Sequence, residues 1–108
     1  MLTQVTLLGA RHVFEIDGVE VGTFVALPTQ SNDLELWSFE IYPEFRGCGY
    51  SGRLLNEVIR MGKNEYPPRG RVLLWVLKDN ERAIHLYTKH GFLRAGENED
   101  SIFMELPL

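Results

Sequence analysis

The segment Ile41-Tyr-Pro-Glu-Phe-Arg46-Gly47-Cys48-Gly49-Tyr50-Ser51-Gly52-Arg53-Leu54 constrains this chain most. Before it, Leu34 to Ile41 alternates like a strand and Pro43 ends it. After it, Leu54, Leu55, Val58, Ile59 and Gly62 recur at helical spacing between Ser51 and Lys63. A glycine-rich turn therefore leaves a strand and enters a helix. Glycines permit positive φ and close backbone approach. The free N–H groups of a helix start then point into the turn, and the helix dipole favours an anion there. This is chemistry for a phosphate or pyrophosphate, with Arg46 and Arg53 as added positive charge.

The rest of the chain bounds the fold. With 108 residues, 44% hydrophobic and 24% charged, it reads as one soluble domain over residues 1–108. No apolar run approaches a membrane span, and the start lacks the marks of a signal peptide. The single Cys48 excludes an internal disulfide and fits a cytoplasmic setting. The formal charge of −4 disfavours nucleic acid. Its distribution is uneven: residues 1–45 hold Arg11 against seven acids, whereas residues 46–96 hold ten bases against four acids.

Strands are expected at residues 3–8, 12–16, 19–27 and 34–41, with Asp17-Gly18 as a hairpin turn. Alternation puts Glu35, Trp37, Phe39 and Ile41 on one face of the fourth strand and Leu34, Leu36, Ser38 and Glu40 on the other. Pro67-Pro68-Arg69-Gly70 marks a loop. The apolar run from Arg71 to Leu77 reads as a strand buried on both faces, parallel to a neighbour. Asp79 or Asn80 caps a second helix, Ala83, Ile84 and Tyr87 line one side of it, and Gly91 stops it. Residues 92–95 and 101–106 close the chain as a strand pair. Trp37 and Trp75 read as core, and His85 and His90 as solvent-facing.

Gly47-x-Gly49-x-x-Gly52 also matches the dinucleotide fingerprint by letter. The acid expected about 20 residues on is absent: Asp79 follows the next strand, 27 residues past Gly52. Antiparallel strands come first, which further disfavours that reading.

A second constellation, Asn80, Ala83, Tyr87 and Gly91-Phe92, follows in order. Together the two segments resemble the GNAT superfamily of acetyl-CoA-dependent N-acetyltransferases. Its acyl-carrier loop reads Arg/Gln-x-x-Gly-x-Gly/Ala. Arg46 to Ser51 fits, with Ser51 where Gly or Ala is usual. The resemblance spans about Leu34 to Leu106. It implies an α/β fold with a mixed, twisted sheet of six or seven strands and two main helices. It also implies that acetyl-CoA is the donor. Arg46, Gly47, Cys48, Gly49, Tyr50, Ser51 and Gly52 would hold its pyrophosphate, and the backbones of Phe39 and Ile41 its pantetheine arm. Asn80 would bind that arm or cap the helix. Tyr87 would protonate the departing thiolate. Glu35 is the candidate base, with Glu40 its alternative if a bulge intervenes.

The family's domain usually starts with a strand and two helices that cover the acceptor. Residues 1–11 show no helical periodicity. The resemblance then implies an open acceptor groove, or a homodimer that completes the site. The acidic charge of residues 1–45 and the acidic C-terminus favour a cationic amine acceptor, such as a polyamine, an aminoglycoside or a lysine-rich protein. A different reading is a non-catalytic acyl-CoA-binding or interaction module.

Overall fold

The computed structural model describes residues 2–65 and 68–108. Seven strands form one sheet in the order β1-β2-β3-β4-β5-β7-β6. They are β1 (Thr3–Leu8), β2 (Arg11–Ile16), β3 (Val19–Pro28), β4 (Leu34–Ile41), β5 (Arg71–Leu77), β6 (Leu93–Glu97) and β7 (Ser101–Pro107). Helix α1 (Tyr50–Asn64) crosses from β4 to β5, and α2 (Glu81–Lys89) from β5 to β6. The expected strands and helices are all present, and so is the parallel pair at the centre. Pro67 of the expected loop lies outside the described residues.

The first four strands form a meander. Its first hairpin turns on Asp17 (φ 51°) and Gly18 (φ 82°), two positive-φ positions that match the right-handed twist of the flanking strands. The tight turn between β3 and β4 is closed by Thr29, whose N–H donates to the Asp33 carbonyl at 2.9 Å. Asp33 is buried and accepts from the Arg71 guanidinium at 2.7 Å. Arg71 also donates to Glu105 on β7. This cluster ties together the ends of β4, β5 and β7 where the parallel pair begins.

Both helices pack on one face of the sheet. Leu54, Leu55 and Val58 of α1 and Tyr87 of α2 join Phe14, Phe24, Leu36, Ile41, Val72, Leu74 and Met104 in a single core cluster. Each fully buried side chain of this size contributes roughly 1.5–3 kcal/mol. The opposite face carries the alternate residues of β5, including Trp75 and Leu77, and no helix among the described residues packs on it.

One local feature overturns the expected faces of β4. Ser38 has φ 51°, and the β3–β4 register shifts between Thr23 and Val25. Phe24 therefore sits against two β4 residues, a β-bulge. Alternation restarts after it. Leu34, Leu36, Phe39 and Ile41 belong to the helix-covered face, while Glu35, Trp37 and Glu40 belong to the open face. Glu35 does not share a face with Phe39 and Ile41. A positive φ at a non-glycine residue costs on the order of 1–3 kcal/mol and persists only where its surroundings enforce it.

Candidate acyl-transfer site

Strands β4 and β5 pair only at Leu34↔Val72 and Glu35↔Leu73. Beyond these pairs they diverge and leave a slot of about 1000 Å³ through the sheet. On the helix side it is lined by Phe39, Ile41, Val76, Tyr87 and the glycine turn, and on the open side by Ser38, Glu40, Trp75 and Leu77. Backbone groups of a strand point alternately to its two sides. The Tyr42 N–H donates to Val21 on β3 at 2.9 Å. The Ile41 N–H therefore points away from β3, into the slot, as does that of Phe39.

The glycine turn sits at the end of the slot. Gly47 (φ 81°) and Gly49 (φ 78°) are both left-handed, and Gly49 is the N-cap of α1 with no side-chain cap. The first N–H groups of α1 are thus left for another acceptor. A Cβ at either glycine would meet nothing within 4 Å, so the space above the turn is open. Arg46 folds back and donates from Nε to the Ile41 carbonyl at 3.0 Å, which fixes the turn against β4. Tyr50, Ser51 and Gly52 complete this end. An open cradle of N–H groups with Arg46, Arg82 and Lys89 nearby fits a polyphosphate.

Helix α2 forms the other wall. Asn80 caps it, its side-chain oxygen accepting from the Ala83 N–H at 3.1 Å, and it also lines the slot. The expected cap is therefore present, at a position that also borders the slot. Tyr87 is 7% exposed, with its ring edge-on to Phe39 at 6.1 Å and tilted against Phe92 at 5.5 Å. Burial pushes its phenol up to about 12. The hydroxyl therefore stays protonated through the physiological range and can donate a hydrogen bond to a developing thiolate.

The structure brings Phe39, Ile41, Arg46, Gly47, Gly49, Tyr50, Ser51, Gly52, Asn80 and Tyr87 to one slot. Two candidates lie outside its lining: Cys48, which is exposed, and Glu35. Glu40 lines it instead, re-aimed by the bulge. His85 is exposed, as expected, and borders the slot as well; His90 is a correction, since it is half-buried at the slot. His90 lies 2.9 Å through Nδ1 from the Leu86 carbonyl, and its ring packs over Gly52 in the first turn of α1. Helical spacing could have shown this, because Arg82, His85 and Lys89 fall on one side of α2. Trp37 and Trp75 are not core: they are 49% and 47% exposed. His12 does not line the slot; its ring stacks on Phe24 at 4.6 Å. No metal-binding cluster occurs among the described residues, nor any helix long and apolar enough to cross a membrane.

The sequence profile of the acetyltransferase (GNAT) family matches residues 6–92, and the chain belongs to that family. Solved structures agree on the fold. A GNAT family acetyltransferase from Elizabethkingia anophelis with acetyl-CoA bound superposes with a TM-score of 0.81 at 20% identity, over 91% of this chain and 75% of that one. The PaiA N-acetyltransferase of Thermoplasma acidophilum in complex with coenzyme A gives 0.79 at 20% identity, over 91% of this chain and 60% of that one. The spermidine/spermine N-acetyltransferase SpeG of Vibrio cholerae, in mutant forms, gives 0.79 at 23% identity, over 90% and 65%. Among curated proteins none matches this sequence.

Proposed function

We propose that the protein transfers an acetyl group from acetyl-CoA to a primary amine in a ternary complex. The observation that carries this is the slot. One gap in the sheet joins an open N–H cradle, two unpaired strand N–H groups, a buried protonated tyrosine and a carboxylate. The cradle at Gly47 to Gly52 holds the pyrophosphate. The backbones of Phe39 and Ile41 hold the pantetheine arm, and Asn80 borders it. The Ile41 N–H polarises the thioester carbonyl, a type of contact whose removal elsewhere costs about 2.7–4 kcal/mol of transition-state stabilisation.

The amine attacks from the open face. Its nitrogen bonds to the carbonyl carbon as the C–S bond breaks. The nitrogen loses a proton to a base, and the departing thiolate takes one from the Tyr87 hydroxyl, which recovers it from solvent. Glu40 is the carboxylate placed for the first role, because it lines the slot. Glu35 lies on the same face beyond the bulge. Glu40→Gln is expected to lower kcat/KM about 100-fold at neutral pH. Glu35→Gln is expected to change it by less than about threefold, and steady-state kinetics of the two variants reads the difference. The reverse order would return the role to Glu35.

The first experiment is a thermal shift with acetyl-CoA against NAD as control. Ligand at about 100-fold above Kd stabilises the folded state by about 2.7 kcal/mol. For a domain of this size Tm then rises by roughly 10 °C. A rise with acetyl-CoA alone, followed by release of free thiol in the presence of amines, supports acetyl transfer. A rise without turnover of any amine would leave a binding module. No rise at millimolar acetyl-CoA would remove the donor site.

A further inference from the structure

The face of the sheet opposite the helices carries both tryptophans of the chain. Trp37 lies two residues past Glu35 and Trp75 two residues past Leu73, the last residues that pair β4 with β5. The two indoles therefore flank the point where the strands part. Trp75 rests on Phe103 at a ring separation of 5.0 Å, and Leu77, 56% exposed, continues the surface outward. Trp75 and Leu77 line the slot, and half-exposed Trp37 lies on the same open face just outside its lining, so aromatic and aliphatic surface borders the mouth.

The charges at this mouth are few. Of the acids in residues 1–45, Asp17 accepts from the Leu2 N–H, Glu20 holds Tyr42 and Arg11, and Asp33 holds Arg71. Among the described residues only Glu40 of this group lines the slot, with Glu35 on the same face. An acidic lining long enough to hold a chain of ammonium groups is therefore missing. One carboxylate beside two indoles suits one ammonium on an apolar body, held by charge, by the aromatic faces and by burial of its hydrocarbon.

Resting on the acetyl-transfer reading, we infer that the acceptor is a small primary monoamine with an aromatic or long alkyl body, seated between Trp37 and Trp75 with its nitrogen toward Glu40. This narrows the cationic amine acceptor expected from charge distribution to one with a single charge.

Because these are the only tryptophans, intrinsic fluorescence reads the mouth directly, whether or not turnover occurs. Phenethylamine and n-octylamine should shift or quench the emission saturably, and spermidine should not. With acetyl-CoA, both monoamines should show kcat/KM about tenfold above spermidine, a difference of about 1.4 kcal/mol. Trp75→Ala and Trp37→Ala should each raise KM for phenethylamine several-fold with little change in kcat. Both residues are half-exposed, and an unchanged acetyl-CoA thermal shift verifies that the variants fold. Spermidine used as well as the monoamines would overturn the inference and leave acetyl transfer standing. No emission change with either monoamine at millimolar concentration would overturn it too. A missing thermal shift with acetyl-CoA would count against the parent reading alone, with the emission still deciding whether the monoamine binds.

Discussion

Tyr87→Phe is expected to lower kcat about 100-fold while the Kd for acetyl-CoA changes by less than twofold. The hydroxyl is the one polar atom this substitution removes. The ring keeps its packing against Phe39 and Phe92. A phenol held near 12 by burial is a poor proton source in the ground state, so its effect is concentrated where negative charge grows on sulfur. Single-turnover kinetics with isothermal titration of the donor separates the two quantities. Equal losses in kcat and donor affinity would show a packing role only. The same residue has an alkaline signature. Its pKa is raised in the folded state above the ordinary value of 10.0, so its contribution is complete below pH 10 and is lost as pH rises toward 12. A rise from 10.0 to about 12 corresponds to about 2.7 kcal/mol. Urea denaturation of wild type against Tyr87→Phe across this window should show that loss only where the hydroxyl is present.

Gly22→Ala should be the most damaging single methyl in the sheet. A Cβ there would lie 2.5 Å from the Glu40 carbonyl oxygen and 2.7 Å from Ile41 Cδ1. The first is backbone and cannot swing aside, so β4 must move at the residues that edge the slot. Overpacking of this kind costs about 3 kcal/mol, or a fall in Tm of roughly 10–20 °C. Turnover should fall as well, because Glu40 and Ile41 move with the strand. Gly96→Ala is the control. Its Cβ would meet only Phe103 Cβ at 3.9 Å, an ordinary contact, and its melting temperature should hardly change. Equal melting temperatures for the two variants would show that β4 yields freely.

Much of this is legible in the sequence. Hairpin chemistry at Asp17-Gly18, the apolar run of β5 and the cap at Asn80 each follow from local rules, and each was found where expected. The glycine turn and Tyr87 converge because a strand, a crossover helix and a parallel strand leave few ways to close. What sequence could not show is the bulge. Ser38 carries no mark of a positive φ, and one extra residue reverses every later side chain. Glu40 and Glu35 exchanged prospects for that reason alone. The tryptophans were misread for a related one. A continuous apolar strand implies cover on both faces, yet here helices cover one.

The two-pair contact between β4 and β5 has a consequence for how the chain assembles. The meander pairings and β6 with β7 join through short turns, while β5 reaches β7 across α2 and β6 within the C-terminal half. Only the parallel pair must bring together segments from the two halves of the chain, at Leu34 with Val72 and Glu35 with Leu73. Turn-closed pairings form at small entropic cost, and the pair that joins the two halves must wait for both. The N-terminal meander and the C-terminal strand–helix–strand unit can thus form separately and meet at a seam fastened at one end. The opening at the other end is the slot. A donor arm laid along β4 there would take up strand hydrogen bonds that β5 does not supply. Substrate would then act as the missing stitch of the sheet, and cooperativity between the halves would rise when it binds.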